Sequence, residues 1–201
     1  MYKKWIAAAL AAALVLALAG CMPTESGGFK NPFASQQNTG EDEPEKATLT
    51  ISVEGVRKDI EAEIYHGNGY TIAVPLDWER SVGEPEWSPY NNDDVELTVR
   101  FYPEQKAEAV AEQFKMDEDD YVFEGPLSVL GQGISETLQG ALMLQGTDRD
   151  LEGSENLVTY FIDAKDGCYA LILECPTEAT EGYGMYLGAM ANSFTLAEET
   201  E

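Results

Sequence analysis

The strongest constraint on the fold is the alternation of apolar and polar residues through the first half of the chain. A period of two places every second side chain on one face, so each such segment predicts a half-buried β-strand. The third segment begins after a predicted turn at residues 66–69 and ends at Pro75. The inward positions of the predicted strands are Leu49, Ile51 and Val53; Ile60, Ala62 and Ile64; Tyr70, Ile72 and Val74; and Val95, Leu97, Val99 and Phe101. In the last of these strands, Glu96, Thr98 and Arg100 are expected to point outward.

The second half contains short apolar segments at about residues 121–123, 138–144, 157–162 and 168–175. The last two are nearly continuous in apolar residues and are joined by a predicted hairpin at residues 164–167, which is typical of strands covered on both faces. Between residues 76 and 94, turn-forming residues predict a long loop.

Two helices are predicted among these strands. Pro103 and Glu104 are expected to open the first, because proline and acidic residues suit the first helical turn. Its buried stripe would be Ala107, Val110, Ala111 and Phe114. The second helix would follow Pro176 and bury Tyr183, Leu187, Met190 and Phe194, while Gly182, Gly184 and Gly188 would let it lie close to the sheet. Residues 47–196 therefore predict an α+β domain with an antiparallel sheet flanked by two helices.

Residues 1–20 have the layout of a secretory signal: two lysines, an uncharged apolar run of about 15 residues, then small residues. That run is shorter than the roughly 18 to 20 residues of a permanent membrane-spanning helix. Leu18-Ala19-Gly20-Cys21 resembles the lipobox of bacterial lipoproteins. The resemblance implies cleavage before Cys21, a lipid on its thiol, and a protein anchored in the cell membrane outside the cytoplasm. The alternative is cleavage after Ala19, which would release a soluble protein.

The segment after the lipobox is poor in apolar residues. Residues 21–46 comprise Cys21 and a run of Pro, Gly, Ser, Asn, Gln and acids that predicts a flexible tether, since it cannot bury enough apolar area to fold. Residues 197–201 predict a frayed acidic tail.

The C-terminal part of the chain resembles a known fold family. The pattern consists of a Gly-Cys-Tyr-Ala-Leu strand, then Glu178-Ala179-Thr180-Glu181-Gly182-Tyr183 through Met190-Ala191-Asn192-Ser193-Phe194, with Gly69-Tyr70-Thr71-Ile72, Pro75 and Trp78 upstream. It resembles the PsbP-like α/β/α sandwich over about residues 65–196. That family includes extrinsic photosynthetic subunits and many bacterial lipoproteins, so the resemblance implies a non-enzymatic binding or assembly domain.

The charge balance excludes one class of partner. The chain has 12 Lys and Arg against 37 Asp and Glu, a net charge of −25. Such a surface repels phosphate backbones, so we expect no nucleic-acid partner.

Catalytic and metal-binding patterns are sparse. The one histidine, His66, lies in a predicted turn and is expected to be an exposed turn residue. Residues 148–153 offer oxygens at positions 1, 3 and 5 of a calcium-type loop, but position 12 is Thr159 rather than glutamate, so an ordinary acidic loop is favoured. We predict no catalytic residue, no metal site and no cofactor.

Two cysteines remain besides Cys21. Cys168 and Cys175 fall seven residues apart in one predicted strand, about 23 Å end to end, whereas a disulfide needs Cα atoms about 5.5 Å apart. They are expected to be buried free thiols.

The predicted loop holds two aromatic residues among turn formers, Trp87 and Tyr90. Exposed loop aromatics bind partners at low entropic cost, so we predict these two residues as the binding site for a ligand or partner. The alternative is that Trp87 folds back onto the edge of the sheet, because indole rings are buried on average.

These observations favour a membrane-anchored extracytoplasmic lipoprotein whose domain binds an unidentified protein or envelope component without catalysis. One alternative is an envelope hydrolase using acids between Trp78 and Asp94, which requires a carboxyl of strongly raised pKa there. Another is a thiol-based envelope sensor, which requires an exposed thiol of low pKa at Cys168 or Cys175.

Overall fold

The structure is a computed structural model that describes residues 44–53, 55–118, 120–123, 128–129, 135–148 and 155–197. The predicted signal peptide, Cys21, nearly all of the predicted tether, most of the calcium-type loop and residues 198–201 lie outside the described residues. Within those six stretches, no helix is long and apolar enough to span a membrane.

The described residues form twelve strands and two α-helices. The strands are β1 (Lys46–Val53), β2 (Val56–His66), β3 (Tyr70–Pro75), β4 (Trp78–Arg80), β5 (Glu86–Pro89), β6 (Glu96–Pro103), β7 (Tyr121–Phe123), β8 (Ser128–Val129), β9 (Leu142–Asp148), β10 (Glu155–Ala164), β11 (Gly167–Pro176) and β12 (Thr195–Leu196). The helices are α1 (Ala107–Asp117) and α2 (Thr180–Ser193), and a 3-10 turn (Thr177–Ala179) precedes α2.

The strands form two antiparallel sheets. Sheet A has the order β1-β2-β3-β12, and sheet B has the order β4-β5-β6-β11-β10-β9-β7, with β8 also paired to β9. The predicted turn at residues 66–69 joins β2 to β3, and the predicted hairpin at residues 164–167 joins β10 to β11. Both predictions are confirmed.

Sheet B separates two apolar cores, and β11 contributes to both. Cys168, Ala170 and Ile172 face one core, which contains the buried residues of α1. Tyr169 and Leu171 face the other core, which contains residues of sheet A and α2. Because successive side chains of a strand point to opposite faces, β11 is apolar at nearly every position. The expectation that this strand is covered on both faces is confirmed.

Helix α1 buries its predicted stripe but begins later than expected. Ala107, Val110, Ala111 and Phe114 are all buried. Pro103 is instead the last residue of β6, opposite Gly167, and Glu104 follows with a φ of 59°. The Glu104 N–H donates to the Asp166 carbonyl at 2.8 Å, so strand pairing continues to this point. The predicted helix start at Pro103 and Glu104 is therefore wrong.

Helix α2 buries Leu187 and Met190, and Phe194 is buried directly after the helix ends. The expectation for its glycines is wrong, because a Cβ atom placed on Gly182 or Gly188 would meet no atom of the described residues within 4 Å, and one placed on Gly184 would meet Thr180 of the same helix at 3.3 Å. None of these three glycines packs against the described sheets.

Two further expectations fail around β6. The predicted loop at residues 76–94 contains β4 and β5, a hairpin at the edge of sheet B. Thr98 is buried rather than exposed, and Phe101 is 41% exposed rather than buried. Residues 97–99 are all buried, so both faces of β6 are covered there and alternation does not distinguish them.

The described chain is an α+β domain with antiparallel sheets and two helices, as predicted. A single sheet flanked by two helices is too simple a description, because sheet A shares the core on the α2 side of sheet B.

Candidate functional site

The predicted binding residue Trp87 lies in the core rather than at the surface. It is 2% exposed and pairs with Leu97 of β6 on one side and Arg80 of β4 on the other. Its indole packs edge-on against the Tyr65 ring, with centroids 5.1 Å apart and planes at 73°. The expectation that Trp87 is available to a partner is therefore wrong, and the alternative, in which it packs back onto the sheet, describes its position.

Tyr90, the second predicted binding residue, is 68% exposed. It follows β5 directly, and its N–H donates to the Asp77 carbonyl at 3.0 Å, which fixes the backbone. Leu76, next to Asp77 in the chain, is 59% exposed. We call the side chains of Leu76 and Tyr90 the Tyr90 surface. Both side chains expose apolar area, and the backbone is held at each of them, because the Leu76 N–H also donates to the Glu61 carbonyl at 3.3 Å.

A second group of side chains, which the sequence did not suggest, lies on the α1 side of sheet B. We call Glu96, Tyr121, Glu155 and Glu174 the carboxylate network. Glu96 and Glu174 are directly opposite each other across β6 and β11. The Tyr121 hydroxyl lies 3.1 Å from Glu155 Oε2 and 3.5 Å from Glu174 Oε1. One phenol therefore connects β7 to carboxyls on both β10 and β11.

The surroundings of the network favour protonated carboxyls. Burial and, to a smaller extent, the charges of Glu96, Glu155 and Glu118 together raise the pKa of Glu174 to about 7, against the opposing effect of Arg100. Burial also raises the pKa of Glu96, although a hydrogen bond from Thr98 Oγ1 at 2.5 Å opposes the shift. Glu174 can thus gain or lose a proton near neutral pH.

This network differs in place from the predicted hydrolase site. That hypothesis required a carboxyl of raised pKa between Trp78 and Asp94, whereas Glu174 lies on β11. One signal was present in the sequence: Glu174 is the only charged residue of an otherwise apolar strand. Across the part of the chain that the structure describes, no group of three or more His, Cys, Asp or Glu side chains is arranged to hold a metal ion.

Cys168 and Cys175 are buried free thiols, as predicted. They lie near opposite ends of β11 and face different cores. Burial raises the pKa of Cys168 to about 11 and also raises that of Cys175. Neither thiol has the exposed, low-pKa character that a thiol-based sensor requires.

His66 is exposed, as predicted, but it is the last residue of β2, paired with Thr71, rather than a turn residue. Its Nε2 atom lies 3.3 Å from Glu45 Oε2. Because both side chains are 63% exposed, this geometry is that of a surface contact.

Comparisons with known proteins bear on the fold alone. No family model matches the chain, and no curated protein sequence matches it. It is similar to a crystal structure from Bacteroides thetaiotaomicron VPI-5482, with a TM-score of 0.44 and 11% identity over 69% of this chain and 49% of that one. It is also similar to the solution structure of a cyanobacterial PsbP (CyanoP) from Synechocystis sp. PCC 6803, with a TM-score of 0.44 and 13% identity over 68% of this chain and 92% of that one. The match spans about half of the Bacteroides chain, and likenesses at this level say nothing about function.

Proposed function

We propose that the protein is a lipid-anchored extracytoplasmic binding protein without catalytic activity. The observation that carries this proposal is Leu18-Ala19-Gly20-Cys21 at the end of an apolar segment that follows two lysines. Two acyl chains on Cys21 would anchor the protein stably, since each buried methylene contributes about 0.8 kcal/mol.

The start of the folded domain fits this proposal. The first strand begins at Lys46, so about 25 residues separate it from Cys21. A flexible segment of that length has a mean reach of roughly 25 to 30 Å, which would hold the domain clear of the lipid headgroups.

Within the domain, we propose that the Tyr90 surface contacts the partner. Leu76 and Tyr90 expose apolar area on a fixed backbone, and such groups lose little conformational entropy on binding. The partner would be a protein or another envelope component, because the charge of −25 disfavours nucleic acid. As part of the same proposal, the domain is a PsbP-like module. This part rests on the resemblance of the sequence pattern over about residues 65–196.

The lipid anchor is tested by membrane fractionation and metabolic labelling with a fatty acid. The wild-type chain should carry label and sediment with membranes, whereas Cys21→Ser should lose the label and either remain an uncleaved precursor or become soluble. Cys168→Ala is the matched control, because its thiol is buried, and it should keep both label and membrane association. A correctly cleaved Cys21→Ser chain that stays in membranes would exclude lipidation at Cys21.

The binding surface is tested by crosslinking in intact envelopes followed by capture of the full chain. Tyr90→Ala should weaken capture of any specific partner at least tenfold, as expected for an aromatic anchor. Val82→Ala is the control, since Val82 is fully exposed on the same hairpin but lies outside the Tyr90 surface. Equal capture by both variants would place recognition elsewhere.

A further inference from the structure

The carboxylate network brings together groups from three adjacent strands in the middle of sheet B. Glu96, Glu174 and Glu155 come from β6, β11 and β10, which are neighbours in that order. Tyr121 belongs to β7, the outermost strand on that side, so its hydroxyl reaches back towards the centre of the sheet. The network therefore ties the outer strand to the middle of the sheet.

The charges that face Glu174 are mostly negative. Glu96 faces it from β6, Glu155 from β10 and Glu118 from the end of α1. The cation that opposes them is Arg100 of β6, whose Nη1 atom lies 3.7 Å from Glu118 Oε1. Two further carboxylates face the network: the charge of Glu86 on β5 raises the pKa of Glu96, and the charge of Asp148 on β9 raises the pKa of Tyr121.

Proton counting shows why one carboxyl must be neutral for the network to be complete. A phenol has a single proton to donate, and Tyr121 contacts two carboxyl oxygens. Both contacts are satisfied when Tyr121 donates to Glu155 and a protonated Glu174 donates to the phenol oxygen. When Glu174 is ionised, one of the two contacts places an oxygen lone pair against a negative oxygen.

We propose that the carboxylate network is a pH-dependent latch, in which a proton on Glu174 holds β7 and the end of α1 against the centre of sheet B and loss of that proton releases them.

The direction of the pH effect follows from the Glu174 carboxyl. Its pKa in the folded chain, about 7, lies above the ordinary value of 4.5, so the folded chain binds this proton more tightly than the unfolded chain does. The resulting stability is fully present below about pH 4.5 and is lost as the pH rises through about 7. The latch therefore closes in acid and opens above neutral pH.

The first experiment follows thermal unfolding of the full chain between pH 5 and 8. Wild type should lose stability across this range, and part of that loss comes from general repulsion among its many acids. Glu61→Gln, on the exposed face of β2, removes one charge as a control and should keep the wild-type slope. Glu174→Gln keeps the shape of the side chain but cannot titrate. Between pH 5 and 8, its folding equilibrium constant should therefore change 10- to 100-fold less than that of wild type, which corresponds to a difference of roughly 3 to 10 °C in melting temperature. Equal slopes for the two variants would overturn the proposal.

Hydrogen exchange of the amides at residues 121–123 tests whether β7 is the part released. After correction for intrinsic rates, these amides should be protected at pH 5.5 and lose protection at pH 8 in wild type and Glu61→Gln, but not in Glu174→Gln. Tyr121→Phe lacks the hydroxyl and should show low protection at both pH values. Wild-type protection that does not change with pH, or a Tyr121→Phe chain that behaves like wild type, would overturn the latch.

One measurement needs no variant and stands even if Glu174→Gln does not fold. A 13C titration of the glutamate carboxyls in the native full chain should show a group that ionises near neutral pH. If every carboxyl ionises below about pH 5.5, the latch has no proton to lose and the proposal fails.

Discussion

Replacing Trp87 by alanine should destabilise the domain strongly. The side chain is 2% exposed, packs on the Tyr65 ring and lies between β4 and β6. Truncating a buried tryptophan costs about 3 to 5 kcal/mol, which combines lost apolar burial with the cavity left behind. In a domain of this size each kcal/mol lowers the melting temperature by roughly 2 to 4 °C, so the expected shift is about 6 to 20 °C.

Tyr90→Ala provides the matched comparison, because Tyr90 lies three residues further along but is 68% exposed. A substitution at such a position changes stability by about 0.5 kcal/mol or less. Thermal unfolding of both full-chain variants, followed by far-ultraviolet circular dichroism, would measure the difference. If Trp87→Ala melted within 2 °C or so of wild type, the burial of this ring would be refuted. A large loss in Tyr90→Ala would show that its ring is packed rather than available to a partner.

Three other predictions concern the two buried thiols and two glycines, Gly67 and Gly188. In the Cys21→Ser chain without reductant, Cys168 and Cys175 should resist a thiol reagent in the native state and both react after unfolding, because they are buried and unpaired; a monomer that shows no reactive thiol when unfolded would mean a disulfide. Gly67→Ala should lower stability by about 1 to 3 kcal/mol, since its Cβ would lie 2.2 Å from atoms of the Tyr70 ring. Gly188→Ala should raise stability by up to about 1 kcal/mol, because its Cβ would meet no described atom within 4 Å and alanine favours the helix. If calorimetry gave both variants the same change in stability, the surroundings described for these two glycines would be wrong.

The class of the fold could be predicted from the sequence where one physical signal dominated. Alternation predicted β1, β2 and β3, and the i, i+3, i+4 spacing predicted the buried stripe of α1. Alternation failed as a guide where both faces of a strand are covered, as at Thr98. At such positions successive residues are all buried, so buried and exposed residues do not alternate. It also failed for the β4–β5 hairpin, whose strands are three and four residues long and lie among turn residues. No local pattern indicates that this hairpin joins sheet B through pairing of β5 with β6.

The candidate sites were harder to predict, because they depend on which strands become neighbours. Tyr90 was identified as an exposed aromatic, but burial of Trp87 depends on Tyr65, which belongs to another sheet. The carboxylate network requires β6, β11 and β10 to be adjacent, with β7 reaching back towards them. Single acids scattered among 37 cannot show such an arrangement, although one acid within the apolar strand β11 was a usable sign.

The position of β12 in sheet A bears on when the domain can fold. Thr195 pairs with Thr71, and the buried Phe194 stacks on Tyr70 with ring centroids 5.2 Å apart. The last strand of the domain therefore completes a sheet begun by its first three strands, and the central pair β6–β11 also joins distant parts of the chain. Pairings of such long sequence separation fold slowly, because the entropy of closing large loops is lost before the contacts form. A partly synthesised chain lacks the residues that finish these pairings, so the two sheets cannot be completed until β11 and β12 are available. If the chain is exported unfolded, in line with the proposed function, such a delay favours its passage through the membrane.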